Sequence, residues 1–172
     1  MDSRLPKLVF VIMAAAAAVY FSSSYAKLPE TVATHFSRNG TPGNWQPKSV
    51  LMWTLVAATV VPAVLIFGVP AIVRALPVAV VNVPNKDYWL SGDRAEQTQE
   101  FLAGWFGWFG CVVFLLMLYV FNFVVLWNLH PGDRRDADSL AWGIGGFGLF
   151  TVVWVLRLIV HFVRKPDGTA RI

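Results

Sequence analysis

The sequence predicts an all-α polytopic membrane protein, with four transmembrane helices in one bundle and a short external interfacial loop. Three observations predict it. Of the 172 residues, 56% are hydrophobic and 14% charged, where a soluble domain carries about 25% charged residues. The mean hydropathy is +0.57. The apolar residues also fall into four blocks, at about 8–24, 50–73, 101–127 and 140–163. Each is long enough for a helix to cross a hydrocarbon layer of about 30 Å. A single membrane domain, 1–172, accounts for the chain.

The first block carries the alanine run Ala14 to Ala18, a smooth surface that lets another helix come close. Arg4 and Lys7, the apolar run and Ser24-Tyr25-Ala26 also have the layout of a cleavable secretory signal, which would leave three spans. The second block holds Pro62 and Pro70. Each removes a helical hydrogen bond, so a kink is expected, with neighbours or local rearrangement satisfying the freed carbonyls. Pro77 closes this helix region.

The third block follows a polar loop at 76–100. Asp93-Arg-Ala-Glu96 has capping-box spacing, which starts a helix near Asp93 and runs it into span three as a polar stem. Gly104, Gly107 and Gly110 recur in span three, and Gly143 and Gly146 sit in span four. Such glycines let membrane helices pack closely. Arg157 and His161 share one face of span four. Arg157 is expected to snorkel to the interface or to pair with Asn122, Asn128 or a loop acid.

Eight Lys and Arg residues flank the spans on the side of the termini and five on the other. The richer side is read as cytoplasmic, with both termini inside and the 25–48 loop outside. This placement also explains the formal charge of +4 through helix ends and anionic lipid rather than nucleic acid. Cys111 stands alone, so no intramolecular disulfide is possible.

The 25–48 loop is the most particular polar segment. Leu28-Pro29-Glu30 suits the start of a short interfacial helix, which would put Val32, His35 and Phe36 on one face. Asn39-Gly40 and Thr41-Pro42-Gly43-Asn44 are turn sequences. Trp45 suits the headgroup layer and Lys48 the start of span two. Two readings stand for this loop. It is a structural cap, or it is a recognition surface with contacts at His35, Gly40, Pro42, Trp45 and Lys48. The inner loop has the same pair of readings: Asn85, Lys86 and Trp89 serve as a partner site or as interfacial anchors. A lone His35 is a poor metal site. Without a zinc motif, serine elbow, phosphate loop or cysteine pair, neither catalytic residues nor cofactors are expected.

Leu28-Pro29, His35-Phe36, Gly40-x-Pro42, Trp45 and Lys48 resemble the signature of bacterial membrane proteins with the domain of unknown function 1648. The domain also occurs in proteins similar to the immunity protein against the sporulation-delaying toxin. Asn82-x-Pro-Asn-Lys-Asp-Tyr-Trp-Leu90 resembles a second stretch of stand-alone members. The resemblance implies a multi-pass protein of the inner (plasma) membrane and, by analogy only, toxin immunity. The expected function is binding or sensing in the bacterial envelope, with lipid and an extracellular peptide or membrane-protein partner. The alternative is a structural or accessory subunit of a larger membrane complex.

Overall fold

The computed structural model describes residues 3–37, 41–75, 83–92, 94–130 and 137–164, without the side chains of 73, 74 and 137. Four helices are long and apolar enough to cross a membrane, so the protein is a multi-pass membrane protein in contact with the bilayer. Helix α1 (Arg4–Tyr25) leads into strands β1 (Thr31–Phe36) and β2 (Pro42–Pro47). Helix α2 (Lys48–Ala63), a π-helical segment (Val64–Gly68) and α3 (Val69–Ala75) follow as one continuous run. The one-turn helix α4 (Lys86–Trp89), the long α5 (Arg94–Leu129) and α6 (Ala137–Val163) complete the order. Asp93, of the expected capping box, and Pro77 lie outside the described residues.

The strands correct the expectation of an interfacial helix over Val32, His35 and Phe36. Thr31–Phe36 and Pro42–Pro47 pair antiparallel as a hairpin. Part of the physical reason is local. Thr31, Val32 and Thr34 are β-branched, and Phe36 is aromatic, all favoured in strands. A segment this short cannot offset the cost of helix nucleation.

Helix α5 is the axis of the bundle. Within the apolar windows of the spans, 44% of span three is buried, against 6% of span four. Phe114 on α5 is fully buried and meets the Phe10 ring of α1 edge-on at 5.0 Å. Phe21 and Phe121 repeat the contact at 6.3 Å, further toward the hairpin. The Cys111 thiol donates to the Pro6 carbonyl at 3.3 Å. Cleavage after Ala26 would strip this whole wall from α5.

The kink expected in span two takes the form of the π segment between Pro62 and Pro70. A proline donates no hydrogen bond and crowds the preceding turn, and a locally widened helix is one way to absorb that defect. Ile66, at the middle of this segment, is fully buried. It lies where a Cβ on Gly110 would be only 2.5 Å from its Cγ1. The helix defect and the glycine therefore belong to one contact.

Candidate functional site

The hairpin sits at the end of the bundle where α5 finishes. Its register is Thr31↔Pro47, Val32↔Gln46, Ala33↔Trp45, His35↔Asn44 and Phe36↔Pro42. Thr34 is thus an extra residue on β1 and Gly43 on β2. Bulges of this kind bend a strand and re-aim its side chains. Val32 and Ala33 are fully buried, while His35, Asn44 and Trp45 are exposed. The middle of β1 is therefore fixed in the protein, while His35, Asn44 and Trp45 stay open.

The fixing contact is Asn128. Its Oδ1 accepts from the Ala33 backbone N–H at 2.8 Å, and its Nδ2 donates to the Ala33 carbonyl at 2.9 Å. Nδ2 also donates to the Val124 carbonyl of its own helix at 2.8 Å. The carboxamide acts as a one-residue strand, capping the free edge of β1 where unpaired backbone groups would otherwise be buried. Trp127, the preceding residue, meets Phe36 at 5.0 Å and Trp45 at 6.2 Å.

Lys48 closes the base of the hairpin. Its ammonium lies 3.0 Å from the Glu30 carboxylate and 5.0 Å from the centre of the Tyr25 ring, and it reaches the Leu28 carbonyl at 3.4 Å. The backbone N–H of Lys48 donates to the Glu30 carbonyl at 2.9 Å. Lys48 is thus occupied inside the protein. Among the residues singled out in this loop, His35 and Trp45 remain open, with Trp45 54% exposed. Pro42 pairs with Phe36 and is half-buried. Gly40 lies outside the described residues.

The second motif, at Asn85–Trp89, is built into the opposite end. Asn85, at φ +54°, is left-handed, a conformation that asparagine tolerates better than most residues. Its Nδ2 donates to the Phe162 and Val163 carbonyls, each at 3.0 Å. The Trp89 indole N–H donates to the Phe162 carbonyl at 2.9 Å. These bonds satisfy carbonyls that the C-terminus of α6 leaves without helical partners. The His161 ring is sandwiched between Phe101 at 4.2 Å and Trp89 at 4.9 Å. Lys86 is exposed.

The glycines divide. Gly104, Gly107 and Gly110 are buried. A Cβ on Gly107 would lie 2.7 Å from Pro6 Cγ, and one on Gly143 would lie 2.6 Å from the Tyr119 ring. A Cβ on Gly146 would meet nothing within 4 Å. The expected close packing at Gly146 is therefore corrected, because α6 leans on α5 along another line. The expected partners of Arg157 are corrected too. Asn122 accepts from the Tyr20 hydroxyl at 2.5 Å, and Asn128 is committed to the hairpin. Among the described residues no group of three or more His, Cys, Asp and Glu could hold a metal ion.

Residues 8–60, from the first span through the hairpin into the second, match the family model of a domain of unknown function, DUF1648. No curated protein and no solved structure matches the chain.

Sequence reasoning missed Asn128 as the hairpin anchor. Its signal was available: an asparagine next to the last residue of an apolar helix can reach loop backbone as readily as a neighbouring helix. It also missed Glu30 as the partner of Lys48, which a strand pairing of 31 with 47 would have suggested.

Proposed function

We propose that the protein is a binding or sensing protein of the bacterial plasma membrane, with the hairpin as its recognition element and both termini in the cytoplasm. One observation carries this reading. The hairpin is clamped by Asn128 and Lys48, and it leaves His35 and Trp45 exposed. A large aromatic ring and an imidazole on a rigid, bulged hairpin suit contact with a partner at the membrane surface. The chemistry fits an amphipathic, membrane-active peptide, whose apolar side would pack on Trp45. The protein acts by binding and is not an enzyme.

The experiment is a challenge assay. Cells with and without the protein are exposed to a panel of secreted membrane-active peptides. Protection by the wild-type protein, lost in the His35→Ala/Trp45→Ala pair at equal membrane abundance, is the expected result. Equal survival with and without the protein across the panel would count against the peptide reading.

A second reading has its own observation. Span four is the least buried of the four, and Gly145, Gly146 and Gly148 face open space. An accessory subunit would place another membrane helix there. Gly146→Leu would then break a complex on native gels while leaving the protein itself folded.

A further inference from the structure

A concave pocket of about 590 Å³ lies at the end of the bundle opposite the hairpin. Arg157, His161 and Arg164 of the span-four end line it, with Trp89, Phe101 and Trp105. The helical spacing explains the grouping, since positions i, i+4 and i+7 fall on one face. Both arginines are exposed, and among the described residues neither has a carboxylate within ion-pair distance. Trp105 buries its indole N–H with no hydrogen-bond partner among the described residues. The pocket thus offers two guanidiniums against walls of aromatic ring.

Depth narrows what would fill it. Arg157 lies about six residues before the end of α6, roughly 9 Å along the axis, while Arg164 follows the helix directly. The two guanidiniums therefore bracket the zone where an apolar span meets the headgroup layer. Tryptophan belongs in that zone. Arginine matches phosphate oxygens in planar, two-pronged geometry. An arginine held at this depth without an anion is costly, and the anion that the surroundings supply there is a lipid phosphate.

We propose that this pocket binds the headgroup phosphate of an anionic phospholipid, held by Arg157 and Arg164. The clasp of Asn85 and Trp89 on the end of α6 then has a second consequence. It sets the arginine-bearing face against Phe101 and Trp105 and gives the pocket its walls. The site is independent of the hairpin and stands or falls apart from it.

The test uses the full chain purified in detergent and titrated separately with dioleoylphosphatidylglycerol and dioleoylphosphatidylcholine, with bound lipid counted by native mass spectrometry. The wild-type protein should hold the anionic lipid more tightly. Arg157→Gln with Arg164→Gln should weaken that lipid by about fivefold per arginine, roughly 30-fold for the pair, with an unchanged melting temperature. Lys27→Gln, at the other end of the bundle, should change nothing. Should the double variant fail to fold, Arg164→Gln alone, beyond the helix, gives the same reading. Equal binding of the two lipids by the wild type would overturn the proposal, as would a preference that survives loss of both arginines. Displacement of the lipid by an equal concentration of glycerol 3-phosphate would also overturn it, assigning the pocket to a soluble anion.

Discussion

Asn128 on α5 and Ala33 on β1 exchange two hydrogen bonds across 95 residues of chain, with the carboxamide pairing both backbone groups of the alanine at 2.8 and 2.9 Å. This contact turns a surface hairpin into part of the bundle. Asn128→Leu leaves a buried N–H and a buried C=O unpaired, at about 1–3 kcal/mol each. A loss of about 2–6 kcal/mol is expected, with faster hydrogen exchange at the Ala33 amide. Unchanged exchange at that amide would contradict the anchoring role.

The two charges at the base of the hairpin should not be equivalent. Glu30 has an 89% exposed side chain, whereas that of Lys48 is 17% exposed. A screened pair of this kind contributes about 0–1 kcal/mol. Glu30→Gln should therefore be nearly silent in thermal melts. Lys48→Ala also removes the contact with Tyr25 and the bond to Leu28, and should cost more. Equal effects would mean that the ion pair dominates.

The left-handed backbone of Asn85 separates two roles in one residue. Asn85→Gly removes the bonds to Phe162 and Val163 but keeps the conformation. Asn85→Ala removes the same bonds and adds the left-handed penalty of about 1–2 kcal/mol. Alanine should be the more damaging, read as earlier protease cleavage after Val163. Equal cleavage rates would mean that the conformation is not held in the folded protein.

Glycine substitutions should sort by what surrounds them. An added methyl at Gly110 meets Ile66 at 2.5 Å and the Pro62 carbonyl at 3.1 Å. Gly110→Ala should destabilise by about 1–3 kcal/mol through overpacking. Gly146→Ala meets nothing within 4 Å and should leave the monomer unchanged in detergent melts. Equal destabilisation at both positions would mean that α6 packs differently.

The membrane class of the fold is legible in the sequence because it rests on length and apolar content, which the bilayer fixes directly. The hairpin is not legible in the same way. Leu28-Pro29-Glu30 satisfies the local rules for a helix start, and the strand ladder that overrides them is made with residues 42–47 and with Asn128, far along the chain. Span two lies between these cases: Pro62 and Pro70 announce a defect, but only the approach to Gly110 explains why Ile66 is delivered there. At the site, residue types marked the two motif loops and did not separate their roles. Lys48, Asn85 and Trp89 spend their polar groups inside the protein, while Trp45 stays exposed and His35, exposed too, bonds only the neighbouring Thr34 carbonyl through Nδ1.

The most direct test of the recognition reading is the membrane abundance of three forms side by side: wild type, His35→Ala/Trp45→Ala, and Asn128→Leu. If His35 and Trp45 serve recognition, the His35/Trp45 pair should insert and accumulate as the wild type does, while Asn128→Leu falls. A comparable fall in both variants would contradict it, and would make the hairpin a structural cap on the bundle.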